Sequence, residues 1–194
     1  MHDVSSPQVD FYFGAMSPYS WFSAERIGAL LPQARWRPLF LGALFKAVGR
    51  ESWGLTERRE SEMAECERRA ALFGLGPIHW PDPWPTNDLT VARAMTYAQR
   101  SGVLERFSLA AMRLAFQEGS DLAELASVLE AGERAGIPAQ ELERALSEEE
   151  VKLALRTAND EAHARGIFGA PTLAVGDELF WGDDRLQDAA AAAS

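Results

Sequence analysis

Residues 15–22 read "AMSPYSWF" and follow directly on a short aromatic-rich run, "VDFYF", at positions 9–13. The run has the composition of a strand, while Trp21, Phe22, Ala24, Ile27 and Leu31 recur at helical spacing across residues 18–31. Ser17 is suited to cap a helix and Pro18 to open one. The stretch is therefore a strand-to-helix turn, with two serines and a proline where a redox protein would carry a pair of cysteines. Beyond a turn at Pro32, "ARWRPLF" at 34–40 reads as a second strand, so the N-terminal part forms a β-α-β unit.

From about residue 41 to 164 the pattern is helical, broken at "GLGPIHWPDPWPTND", "EGSD" and "AGIP", and it predicts five or six helices. Asn87 or Asp88, Ser120 or Asp121, and Ser147 offer caps, and Ser147 with Glu150 has the spacing of a capping box. Strand signals return only in "PTLAVG" and "ELFWG", two apolar runs joined around Gly176 and Asp177 as a hairpin. A last helix is expected near Asp183, with the alanine-rich tail from Ala189 as its frayed end. This order gives an α/β protein of thioredoxin-like fold with a large all-helical insertion: residues 8–40 and 165–194 make the thioredoxin-like domain, and 41–164 the insertion.

Composition narrows the function. Twenty-nine acidic against 19 basic residues give a net charge of −10, and no Lys or Arg run offers a stripe for nucleic acid or anionic lipid. The apolar stretches are too short to span a bilayer, so no membrane association is expected. The start, "MHDVSSPQ", lacks the basic-then-apolar pattern of a signal peptide, so a cytoplasmic location is expected. Cys66 is the single cysteine and is flanked by Glu65 and Glu67, which disfavour a thiolate. Without a CxxC pair, dithiol redox chemistry is excluded. His2, His79 and His163 are scattered without metal-ligand spacing, and no phosphate-loop, dinucleotide or nucleophile-elbow motif occurs.

What remains is the turn. In a thioredoxin-type fold it brings a helix N-terminus to a point where backbone N–H groups and the helix dipole favour a thiolate. The Ser17 hydroxyl can cap that helix, and it can also donate a hydrogen bond to the sulfur of another molecule. A proline precedes the third strand in "GIFGAPTL", residues 166–173; in thioredoxin-like proteins this proline is cis and exposes the backbone of the residue before it. Trp80 and Trp84, among the prolines of "HWPDPWPTN", either line a pocket for a flat apolar ligand or close the core of the insertion.

Taken together, "DFYFGAMSPYSWFSAERI", "PLFLGALFKAVG" and "GIFGAPTLAVGDELFWGDDRL" resemble the 2-hydroxychromene-2-carboxylate isomerases, relatives of kappa-class glutathione transferases in the DsbA-like group, over residues 9–188. The resemblance implies that Ser17 contacts the sulfur of glutathione or another low-molecular-weight thiol. Ala170 would bond its cysteinyl backbone, and Trp181, Gly182, Asp183 and Asp184 would hold the γ-glutamyl end. It places Lys46 at the substrate, where an acidic protein needs a cation, although the same residue also reads as a solvated surface lysine. Trp84 and Pro85 fall in the substrate-facing aromatic loop. It further implies a small aromatic substrate, a homodimer, and catalysis in which the thiolate adds reversibly to a conjugated aromatic 2-oxo acid, permits rotation, and is released.

Two departures stand out. Asp183 replaces the family's usual Asn, Gln or Ser, and a second acid beside Asp184 is expected to repel a γ-glutamyl carboxylate. Residues 50–63 lack the family's Asn and Lys-x-x-Tyr features. A kappa-like glutathione transferase and a catalytically silent binding module stay open as alternatives.

Overall fold

The structure is a computed structural model that describes residues 7–194. The start of the chain, read as lacking a signal peptide, and His2 lie outside the described residues. Strand β1 (Val9–Phe13) is buried along its whole length, as a central strand must be. It pairs in parallel with β2 (Arg35–Pro38) and antiparallel with β3 (Thr172–Val175), which pairs in turn with the edge strand β4 (Glu178–Trp181), giving the order β2-β1-β3-β4. Helix α1 (Pro18–Leu30) follows β1 directly.

One charged side chain lies in β1. Asp10 is 1% exposed and takes hydrogen bonds from Arg35 and Arg37 on β2 and from Arg165. Arg35 and Arg37 reach it together because residues two apart on a strand share a face. Burial works against the Asp10 carboxylate, but the three guanidinium groups outweigh it and hold the carboxyl below its usual range.

Between β2 and β3 the chain is helical: α2 (Leu41–Ala47), a 3-10 turn at Trp53–Leu55, α3 (Arg59–Leu72), α4 (Leu89–Arg100), α5 (Leu104–Glu118), α6 (Leu125–Ala135), α7 (Ala139–Ala145) and α8 (Glu149–Ala164). Among the described residues this block has seven helices, not five or six. Helices α2 and α7 span only seven residues each, too few for their periodicity to be read. A second 3-10 turn at Asp183–Arg185 leads into α9 (Leu186–Ala192).

The expected caps form only in part. Asn87 accepts from the Leu89 N–H, but Glu124 and Glu148 occupy the N-cap positions of α6 and α8, without side-chain caps, and the Ser147 capping box does not form. Asp88 instead accepts the Leu41 N–H at 3.1 Å and so anchors the start of α2. Nor is the alanine tail frayed: Ala189 and Ala193 are buried in the core that α1 also enters. One apolar cluster joins Phe11 and Phe13 of the sheet, Trp21 and Phe22 of α1, and Phe107, Met112 and Phe116 of α5. The stacking of Trp21 on Phe116, with centroids 5.5 Å apart, ties the first helix to the helical block.

Candidate functional site

The β1–α1 turn and the loop before β3 meet although 153 residues separate them. Ser17 has extended backbone, caps α1 by accepting the Ser20 N–H at 3.2 Å, and directs its own proton toward the Ala170 carbonyl at 3.5 Å. That second bond is long for O–H···O, whose usual length is about 2.7–2.8 Å, so the hydroxyl proton is weakly held. The Ala170–Pro171 peptide is cis, as are Asp82–Pro83 and Trp84–Pro85. The Gly182 N–H donates to the Pro171 carbonyl at 2.9 Å and joins the end of β4 to this loop. Only glycine suits position 182: its φ is +113°, and a Cβ there would collide with the Asp184 carboxylate.

These segments open on a cleft of about 740 Å3, within the usual size of small-molecule sites. Its apolar wall is aromatic. Trp84, 4% exposed, packs against Trp53 and Trp80 with centroids 4.8 Å from each, and Arg59 donates to the Trp84 carbonyl. Trp84 thus belongs both to the core and to the cleft, whereas Trp80 packs on the core and is not among the cleft-lining residues. Its indole N–H is buried without a partner.

The ionic groups of the cleft are mostly committed to one another. Arg69 donates to Asp183 at 2.5 Å and to Glu65 at 2.9 Å, and Arg26 stands 3.8 Å from Asp183 on its other side. Burial raises the Asp183 carboxyl while Arg69 pulls it back; the hydrogen bonds of Arg68 and Arg69 take Glu65 down to about 2. The expectation that Asp183 repels a ligand therefore changes, because Arg69 is bonded to it and Arg26 faces it, although burial outweighs both and leaves the carboxyl raised and its Oδ2 without a hydrogen bond. Asp184 is exposed at the cleft. Tyr19 donates to Glu62 at 2.7 Å, and Glu62 also receives Arg58. Burial pushes the Cys66 thiol up to about 12, so this chain presents no thiolate of its own at neutral pH.

Of the residues singled out from sequence, Ser17, Ala170, Trp181, Gly182, Asp183, Asp184 and Trp84 all line the cleft. Lys46 and Pro85 are not among its lining residues. Lys46 is exposed on the last turn of α2. The helix then closes with the Arg50 N–H on the Phe45 carbonyl and Gly49 at φ +66°, and this redirection brings Arg50 to the cleft instead. Arg50, Trp53 and Arg69 were not identified from sequence; the first two lie in the 50–63 stretch that departs from the family pattern, which was their one signal.

Residues 8–193 match the DSBA-like thioredoxin domain family. The chain belongs to that family. Within it, this DSBA-like domain is 29% identical over 190 residues to a 2-hydroxychromene-2-carboxylate isomerase of Sphingobium xenophagum, covering 92% of this chain and 93% of the relative. It is 26% identical over 199 residues to human glutathione S-transferase kappa 1, covering 92% and 87%. A solved 2-hydroxychromene-2-carboxylate isomerase superposes with a TM-score of 0.81 at 23% identity, over 95% of this chain and 93% of that one, and so shares the fold. No helix of the described residues is long and apolar enough to cross a membrane.

Proposed function

We propose that the chain binds a low-molecular-weight thiol, glutathione in the first instance, and uses it to isomerise 2-hydroxychromene-2-carboxylate or a related aromatic 2-oxo acid. The observation that carries this reading is the Ser17 hydroxyl at the N-terminus of α1, 3.5 Å from the Ala170 carbonyl, at the floor of an aromatic-walled cleft. The names of the relatives support it. Glutathione, when bound, supplies a thiolate nucleophile that the chain lacks. The Ser17 oxygen is already fixed by the Ser20 N–H, so its proton, held only weakly by the Ala170 carbonyl, would turn to stabilise a sulfur anion, and the α1 N-terminus would add to that stabilisation. A thiol of ordinary pKa, about 8.5, is mostly protonated at neutral pH, so this stabilisation is where the chain contributes to reactivity. The Ala170 backbone and residues Gly182 to Asp184 would hold the peptide part of the thiol, and Trp53 and Trp84 would wall the cleft beside the substrate.

Conversion of 2-hydroxychromene-2-carboxylate to its benzylidenepyruvate isomer, followed by absorbance, is expected to require glutathione and to leave its concentration unchanged. Conversion of an electrophile with stoichiometric thiol loss would establish the kappa-like transferase, the reading that the human relative favours. A chain that binds no thiol would be a silent binding module.

Asp183→Asn tests the thiol end of the cleft. Asparagine still accepts a hydrogen bond from Arg69 but no longer matches its charge, so glutathione carboxylate is expected to bind roughly threefold tighter, at a stability cost of about 1–3 kcal/mol. Isothermal titration and thermal unfolding measure the two. Unchanged or weaker affinity would separate Asp183 from the bound thiol.

A further inference from the structure

The cleft has three cationic side chains in its lining, Arg50, Arg58 and Arg69. Arg58 is paired with Glu62, and Arg69 with Glu65 and Asp183. Among the described residues Arg50 has no carboxylate within ion-pairing distance; its one hydrogen bond is to the Phe168 carbonyl at 3.4 Å. Its guanidinium lies 5.6 Å from the centroid of the Phe168 ring and 5.2 Å from that of Trp181. Those two rings are themselves packed, with centroids 4.9 Å apart, yet Phe168 is 40% and Trp181 46% exposed. Two packed rings left partly open beside a guanidinium that no carboxylate neutralises offer a face and a charge to the same ligand.

The backbone accommodates this arrangement at Gly169. A Cβ there would stand 2.7 Å from the Trp181 indole nitrogen, so a larger residue would push that ring from its place, while the Arg50 guanidinium, 3.5 Å away, would be in ordinary contact. The loop carrying Gly169 continues into Ala170, which receives the Ser17 hydroxyl. The platform therefore adjoins the proposed reaction centre and does not form a separate surface.

We infer that Arg50, Phe168 and Trp181 form a subsite for the carboxylate of a flat aromatic acid: the guanidinium meets the carboxylate while the two rings take the face or edge of the arene. Guanidinium suits this better than ammonium because it is planar, offers paired N–H donors to a carboxylate and stacks on aromatic rings at the same time. Glu51 and Glu57 also line the cleft and are exposed, so among the described lining residues Arg50 is the cation left to draw an anion into this acidic site. The inference rests on the proposed function for its placement of the substrate cleft; it transfers the role of substrate cation from Lys46 to Arg50 and moves Trp181 from the γ-glutamyl end of the thiol to the ring of the substrate.

The first arm of the test uses the full chain, with no thiol and no turnover. By isothermal titration, 2-naphthoate is expected to bind the wild type more tightly than its neutral isostere 2-naphthamide. Arg50→Gln is expected to weaken 2-naphthoate roughly fivefold and 2-naphthamide hardly at all, and Arg50→Lys to recover part of the loss. Arg50 is exposed, so thermal unfolding of both variants should match the wild type. The inference is overturned if the wild type does not prefer the carboxylate, if Arg50→Gln leaves the preference intact, or if Lys46→Gln removes it in place of Arg50→Gln. It is also overturned if Arg50→Gln weakens glutathione while sparing its glycyl ethyl ester and 2-naphthoate, since Arg50 would then serve the thiol. A chain without isomerase activity that still shows the Arg50-dependent preference would refute the proposed reaction and leave the subsite standing.

Discussion

Ser17→Ala is expected to lower thiol-dependent turnover by roughly two orders of magnitude, the loss seen when one positioned donor to a developing anion is removed. Stability should fall by only about 1 kcal/mol, because the hydroxyl also caps α1 through the Ser20 N–H. The two effects separate cleanly. Against a folding free energy of about 5–15 kcal/mol, 1 kcal/mol leaves the chain almost entirely folded, so lost folded protein cannot account for a hundredfold drop in rate. The thiolate fraction of bound glutathione at neutral pH, followed by its ultraviolet absorbance, should fall in parallel. A rate that drops only as far as the folded fraction would reduce Ser17 to a helix cap.

Asp10→Asn is expected to cost about 3 kcal/mol, although Asp10 lies on the central strand and not among the cleft-lining residues. The carboxylate is 1% exposed and serves Arg35, Arg37 and Arg165 together. Removing the charge strands three cations; such losses run to about 3–5 kcal/mol, and the lower end applies here because the arginines are 30% to 48% exposed and can turn to water. For a chain of this length the midpoint of thermal unfolding should fall by about 10 °C. The pH dependence follows from the depressed carboxyl. The stability contributed by Asp10 is fully present above its unfolded value of about 4 and is lost as pH falls through the lower native value. The wild type should therefore lose its advantage over Asp10→Asn progressively below about pH 4, and calorimetry across that range measures it. A gap between the two that stays constant with pH would mean that the arginines do not act on Asp10 as ions.

The 50–63 stretch shows where reading by pattern stops. Its departure from the family was visible, but its meaning depends on Gly49 ending α2 with a left-handed turn, which leaves Lys46 toward solvent and carries Arg50 to the cleft. A similar limit applies to Asp183. Its place beside Asp184 suggested repulsion of a ligand, whereas Arg69, 114 residues away, and Arg26 take up its charge.

The sequence by itself determined the strand at Val9–Phe13, the serine-capped helix after it, the closing hairpin and the helical run between. Each of these is set by neighbours within a few residues: alternation of side chains on a strand, a hydroxyl reaching an amide three positions on, a glycine turn. Only the tertiary structure decided the ionic partners of Asp10 and Asp183, the burial of Cys66 and of the alanine tail, and which cation enters the cleft. Those depend on how strands pair and helices dock, which brings together residues from 25 to more than a hundred positions apart. A charge can be read from a single letter, but its energy depends on the distance to its partner and the dielectric between them, and folding alone sets both.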